Sequence, residues 1–240
     1  MRTAVQISAL LALTRISHRV FVTIDPRLLD WARRAAHKVR LLPVGSNIPV
    51  SSNCQGNRPG GDGLVIAVFG ITEGLRGDGE RKTILDTAAQ AAQEVGPVTV
   101  VAFGRGTAPT DGAWPWAPGV TVEARGIVAS GEASGILERA DAMLFVRGGL
   151  SSRRGTAMAG IAHGLPVVGF RTAETGWPMT EAGVVLVEPG DQRGLAEALV
   201  RLRRDPAFAA ELRARSRRAY ERYFSWSAIA ARFLEALEEA

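Results

Sequence analysis

Short apolar runs alternate with helical patterns through most of this chain, and that alternation is the strongest constraint on its fold. The runs are Leu64 to Phe69, Val98 to Phe103, Val120-Thr121-Val122, Met143 to Val146, Leu165-Pro166-Val167-Val168 and Val184 to Val187. Most are continuous and rich in β-branched residues, the signature of strands buried on both faces. Helical patterns stand between them. Lys82 to Glu94 puts Ile84, Leu85, Ala88 and Ala92 on one side, and Glu132 to Ala140 follows. Gln192 to Arg203, Pro206 to about Tyr223, and a last helix capped by Ser225-Trp226 and running to Glu238 complete the set. Such alternation predicts an α/β fold with a doubly wound parallel sheet.

The first fifty residues carry a smaller version of the same pattern. A helix is expected at 4–16, buried by Leu10, Leu11, Leu13 and Ile16, then a strand at Arg19 to Thr23. Asp25-Pro26 starts a second helix to about His37, and Val39 to Val44 is a second strand. Two parallel strands do not make a self-sufficient sheet. Residues 1–50 therefore read as the tail of a larger α/β domain. Residues 51–62, polar and glycine-rich, read as a linker.

Composition narrows the class. The chain has 240 residues, 46% hydrophobic and 22% charged, with a net charge of +5. Lys38 and Lys82 are the only lysines among the bases. The densest basic region, Arg201 to Arg222, is interleaved with Glu211 and Glu221 at helical spacing, the pattern of a solvated helix face rather than a nucleic-acid surface. Contact with anionic lipid stays open. Cys54 is the single cysteine, so no intrachain disulfide or cysteine zinc site can form. His18, His37 and His163 lack metal-ligand spacing, and no metal or cofactor is expected.

The stretch from Gly148 to Val168 carries the chemistry. It reads as loop, helix, turn and strand, with Gly148-Gly149 releasing the backbone and Ser151 and Ser152 suited to cap a helix. Gly164 suits the helix end. Arg153, Arg154, Gly155 and Thr156 then stand at a helix N-terminus, where open amides and the helix dipole favour an anion. Read locally, the same loop is equally a solvated turn. Loops beginning at Gly70, Gly104, Gly126 and Gly148 all leave the carboxyl ends of strands, where ligands of such sheets bind, which favours a phosphate-bearing ligand. There is no GxGxxG after the first strand and no Walker lysine motif, which disfavours dinucleotide enzymes and P-loop NTPases. His163 at the helix end reads as structural. Trp114 and Trp116 read as packing for a proline-rich loop, and Trp177 as the close of the turn before Pro178.

Several of these segments resemble a known family. Pro43-Val44-Gly45-Ser46-Asn47-Ile48-Pro49 is similar to the interdomain crossing of retaining GT-B glycosyltransferases of the family 4 type. Gly148 to Val168, with Pro189-Gly190-Asp191 and Phe224-Ser225-Trp226, resembles their donor half. The resemblance implies a Rossmann-like donor-binding domain at 63–222 and a remnant of the N-terminal, acceptor-side domain at 1–50. It also implies a C-terminal helix at 223–240 that crosses back. The donor would be a nucleotide-diphosphate sugar and the acceptor a glycan or lipid-linked molecule, with no nucleic acid partner. The setting would be polysaccharide biosynthesis in the cytoplasm, at the inner face of the membrane. A partner subunit supplying the acceptor domain, or a non-catalytic nucleotide-sugar-binding module, is the alternative. A related two-domain epimerase is a third reading.

The departures from the family pattern are specific. Its two donor-site glutamates fall at Ser151 and Ala159. In their place stands Ser-Ser-Arg-Arg-Gly-Thr, which resembles a subgroup loop of the form Ser-x-Arg-Arg-Gly-Ser/Thr. By resemblance Gly70, Ser151, Ser152, Arg153, Arg154, Gly155 and Thr156 would hold the donor diphosphate. Gly104, Gly126 and Ile127 would lie near the base and ribose. Arg153 and Lys82 would supply catalytic charge; the family's arginine partner of that lysine falls near Ile71, with Arg76 or Arg81 as substitutes.

Overall fold

The computed structural model describes residues 4–50 and 63–239. The expected linker at 51–62, with Cys54, lies outside the described residues.

The larger unit is a six-stranded sheet, entirely parallel. Its strands are β3 (Leu64–Phe69), β4 (Val98–Phe103), β5 (Val120–Gly126), β6 (Ala142–Gly149), β7 (Val167–Phe170) and β8 (Val184–Val187). They follow β1 (Val20–Val22) and β2 (Val39–Leu41) of the N-terminal piece. In space the order is β5-β4-β3-β6-β7-β8. Both faces are covered, as the continuous apolar runs require. On one side α2 (Leu75–Val95) and α5 (Gln192–Arg204) pack Ile84, Ala88, Leu195 and Leu199 onto Ile66, Val100 and Leu144. On the other, α3 (Ser130–Arg139) and α4 (Gly155–Ala162) bring Leu137, Met158 and Ile161 to Phe103, Met143 and Phe145. Tyr223 and Phe224 join that second core from a π-helical turn at Tyr220–Phe224, which follows α6 (Pro206–Ala219). The expected helix to Tyr223 therefore changes its hydrogen bonding at Tyr220.

The helix expected at Lys82 starts earlier, at Leu75, and absorbs the end of the glycine-rich loop. Side chains hold it there. Glu80 accepts from the Thr72 amide at 2.8 Å and from the Thr72 hydroxyl at 2.6 Å. Arg81, almost fully buried, donates to the carbonyls of Gly106 and Asp111, each at 2.9 Å. These long-range bonds override a local sequence poor in helix formers.

The N-terminal piece is a two-stranded parallel sheet of β1 and β2 beside α1 (Ala4–Ile16). The helix expected after Asp25-Pro26 is instead two 3-10 turns, Pro26–Leu28 and Ala32–Ala35. The second strand ends at Leu41, before Pro43, which has no amide to donate. The helix at 4–16 forms, yet it is not buried: Ile16 is 80% exposed and Leu13 58%. α7 (Trp226–Glu238) packs against this piece. Arg19 Nε donates to the Ala236 carbonyl at 2.7 Å, Trp226 Nε1 to the Ser46 carbonyl at 2.9 Å, and the Phe21 and Phe233 rings lie 4.9 Å apart. No described helix is long and apolar enough to cross a membrane.

Candidate anion-binding cleft at the sheet's switch point

Strand order in the large sheet reverses direction between β3 and β6, and at such a point the connections leave a crevice at the carboxyl ends. The register shows how it opens. β3 and β6 pair only at Ile66 with Ala142 and Ala67 with Met143. Beyond those pairs the strands part, and Phe69 and Phe145 become the walls of a cleft of about 350 Å³. Arg147, Arg153, Arg154, Gly155 and Thr156 line it as well, and Asn47 and Ile48 reach it from the N-terminal side. Gly155 opens α4, whose first-turn amides have no side-chain cap. The cleft thus joins a helix N-terminus to three guanidinium groups.

Each arginine has its own anchorage. Arg153 pairs with Glu174 at 2.8 Å. Arg154 Nε donates to the Gly149 carbonyl at 3.2 Å, and its guanidinium lies 6.0 Å from the centre of the Phe145 ring. Burial lowers the Arg154 pKa first, and the charges of Arg153 and Arg147 lower it further, against the pull of Glu174. A cation that is half buried beside two others is held at an energetic cost that an anion would relieve. Arg147 sits where β6 leaves its register with β7: Phe145 pairs with Gly169, and the next pair is Gly149 with Phe170. The buried Nε of Arg147 has no hydrogen-bond partner among the described residues.

Gly70 belongs to this site by position. Its φ is +76°, and a side chain there would meet Arg147 Nη1 at 3.0 Å. Arg147 itself was not among the residues expected from sequence. It falls between the apolar run and the glycines, and a charged residue ending a buried parallel strand was the available signal.

Several expected site residues stand elsewhere. The serines do not cap α4; its N-cap position is Arg154. Ser152 is buried and donates to the Thr23 carbonyl at 2.6 Å, and the Val44 amide donates to the Ser152 carbonyl at 2.9 Å. The loop is therefore stitched to the N-terminal piece. Ser151 is fully buried, its hydroxyl unpartnered among the described residues, and it does not line the cleft. Lys82 faces solvent on α2, 74% exposed, in an ion pair with Asp86 at 2.7 Å, and is not brought to the arginines. Arg81 is a buried structural pin, as described above, and no substitute cation. Gly104 and Gly126 meet at the ends of β4 and β5, where the Gly104 amide donates to the Gly126 carbonyl at 2.7 Å. Both have positive φ, and Ile127 beside them is 82% exposed. They share the sheet edge with the cleft without lining it.

His163 is structural. Its Nδ1 donates to the Ala159 carbonyl at 2.8 Å and its Nε2 lies 3.0 Å from Ser134 Oγ. Trp114 packs beside Arg81, whereas Trp116 is exposed rather than packed. Trp177 meets Tyr223 edge-on at 5.3 Å. Among the described residues no group of three or more His, Cys, Asp or Glu is arranged to hold a metal ion.

A larger groove, about 690 Å³, runs between α2 and α5. Its arginines are already occupied: Arg193 with Glu197, Arg204 with Glu94, and Arg201 over the Phe208 ring at 3.7 Å. It lies on a helix-covered face, and the helix N-terminus at its edge, that of α6, is already capped by the Asp205 carboxylate, which accepts from the Phe208 amide. The smaller cleft is the better anion site for that reason.

No protein-family model matches the chain, and no curated protein matches it. Solved structures do match its fold. HepE of Anabaena, determined in complex with UDP and glucose, superposes with a TM-score of 0.68 at 14% identity, over 100% of this chain and 68% of that one. Sucrose-phosphate synthase of Thermosynechococcus elongatus gives 0.66 at 24% identity, over 100% and 62%. A glycosyltransferase of Rickettsia africae gives 0.73 at 11% identity, over 99% and 68%. The chain thus spans about two thirds of these structures. The fold is the Rossmann-like architecture of GT-B glycosyltransferases.

Proposed function

We propose that the chain is a glycosyltransferase of the retaining family 4 type, moving a sugar from a nucleotide-diphosphate donor to a glycan or lipid-linked acceptor. The observation that carries this reading is the arginine cleft at the switch point, set at the start of α4 in a fold shared with nucleotide-sugar enzymes. The six-stranded unit is read as the donor half, and residues 4–50 with α7 as part of the acceptor side. A partner supplying further acceptor-side structure, and a place in polysaccharide assembly in the cytoplasm beside the membrane, belong to the same proposal.

The chemistry follows from the charge arrangement. In transfer with retention the bond from the anomeric carbon to the diphosphate breaks through an oxocarbenium-like state. Negative charge grows on the leaving phosphate as it does so. Guanidinium groups and the open amides of Gly155 and Thr156 interact more strongly with that developing charge than with the ground state, which lowers the barrier. Removing one such group should raise it by about 2–4 kcal/mol. Neither family glutamate is available, since Ser151 and Ala159 occupy those positions and both are buried. Recognition of the ribose and sugar therefore falls to other groups, with Asn47 already at the cleft wall. Charge from Lys82 is no part of this mechanism.

Calorimetric titration of the intact chain with UDP, GDP and ADP tests the reading. The wild type should bind one of them, and the Arg153→Ala, Arg154→Ala double variant should not. Equal binding in both proteins, or none in either, contradicts it.

A further inference from the structure

We infer that Arg147 and Arg154, rather than Arg153, are the two cations that grip the donor diphosphate, and that the break in β6 register exists to deliver Arg147. The inference rests on the nucleotide-sugar reading above and specifies its ligand contacts.

Three observations converge. The first is charge. Arg147, Arg153 and Arg154 line one cleft, and Glu174 pairs with Arg153 alone. Arg153 is thereby neutralised within the protein. Arg147 and Arg154 form no ion pair among the described residues, Arg154 feeling Glu174 only at longer range, and their two charges match the two negative charges of a diphosphate diester, one on each phosphorus.

The second is hydrogen bonding. Arg154 spends its Nε on the Gly149 carbonyl and leaves both terminal nitrogens without a partner among the described residues. Arg147 has no hydrogen bond to the described residues, and its Nε is buried. A buried guanidinium N–H without an acceptor is costly. Two guanidinia with vacant donors, side by side at a helix N-terminus, form a receptor for bidentate phosphate oxygens.

The third is backbone design. Between Phe145 and Gly149 the chain inserts Val146, Arg147 and Gly148 against a single step of β7. Bulges of this kind re-aim a side chain at the end of a strand. Glycines on both sides make room. Gly70 lies 3.0 Å, measured from where its Cβ would stand, from Arg147 Nη1, and Gly148 lies 3.2 Å on the same measure from Arg154 Nη2. Both have positive φ, +76° and +73°. A side chain at either position would press on the guanidinium assigned to the ligand.

The test is calorimetry on the full chain with UDP, GDP, ADP and inorganic pyrophosphate, together with thermal melts without ligand. Arg147→Ala and Arg154→Ala should each weaken the best nucleotide, and pyrophosphate, by about 10–100-fold, the range of a lost charge-assisted hydrogen bond. Arg153→Ala should change affinity by less than about threefold. Arg147→Lys should recover part of the loss. The ligand-free melting temperature of Arg147→Ala should equal or exceed that of the wild type, because an unpaired cation has been removed; a merely structural arginine would lower it. If Arg147→Ala does not fold, Arg147→Gln, which keeps most of the side chain, takes its place. The inference is overturned if Arg147 variants bind like the wild type, or if Arg153→Ala loses as much as they do. Binding of pyrophosphate but of no nucleotide, with loss in Arg147→Ala, would keep the arginine pair and discard the nucleotide-sugar reading. Binding of neither by the wild type discards both.

Discussion

The two parallel sheets of this protein differ in what surrounds them. The six-stranded sheet is sandwiched between helices, and residues such as Phe103, Leu64 and Ile66 are completely buried. Among the described residues the core beside the two-stranded sheet is Ala32, Ala35 and Val39, with Val20, Val22, Leu29 and Trp31 partly buried against it and α1 largely in solvent. Parallel strands need cover on both faces, so the small sheet depends on what docks against it. Here that is α7 and the loop after β6. The same loop presents Arg153 and Arg154, next to Arg147 at the end of β6. The weak region is tethered to the strong one through the loop that lines the candidate cleft, and its stability is borrowed.

Substitutions can break that contrast in graded steps. Phe103→Ala in the large core should cost about 3–5 kcal/mol in urea unfolding, whereas Val39→Ala in the small core should cost much less of the main transition. Equal costs would mean that the two sheets unfold as one body. Trp226→Ala removes the indole bond to the Ser46 carbonyl and the packing on Gly45, where a side chain would lie 3.1 Å from the indole. Hydrogen exchange at residues 20–41 should then rise by roughly tenfold, with little change in the large sheet. Ser152→Ala leaves the Thr23 carbonyl without its donor, and about 1 kcal/mol of local protection should be lost around Thr23 and Val44. Lys82→Ala, on the outer face of α2, should leave both stability and nucleotide affinity almost unchanged, within about 0.5 kcal/mol.

Much of the large sheet could be read from residues. Its strands are short apolar runs, those of β3 and β4 ended directly by glycine, a pattern that local chemistry dictates. Strand limits moved where backbone pairing continued past the apolar run, as at Arg125 and Gly126 in β5, and at β7, which starts at Val167, after Pro166, and runs to Phe170. The start of α2 was not legible, because it depends on Glu80 turning back to Thr72 and on Arg81 reaching Gly106 and Asp111 far along the chain. The turns after Asp25 were misjudged for a related reason: capping chemistry marks where a helix can begin, and packing decides whether it continues.

The cleft was half legible. Arg153, Arg154, Gly155 and Thr156 announce a helix N-terminus, and they do line the cleft together. Residue type alone makes the serines beside them cap candidates, whereas Ser152 is turned toward Thr23, just past β1 of the smaller sheet. Arg147 belongs to no motif, and its one mark in the sequence is a charge closing an apolar run. What exposes it is a register break between β6 and β7, a property of strand pairing rather than of any short run of residues. Lys82 matches the family's lysine by position in the sequence, but helix phase places it on the outside of α2, paired with Asp86.

The most direct question is where a nucleoside diphosphate sits. A crystal structure of the intact chain grown with UDP, or with whichever of GDP and ADP binds more tightly, would locate it. The account predicts density for the two phosphates at the first turn of α4, within hydrogen-bond reach of the Gly155 and Thr156 amides and of Arg147 and Arg154. Density in the larger groove between α2 and α5, with the cleft between β3 and β6 vacant, would contradict it.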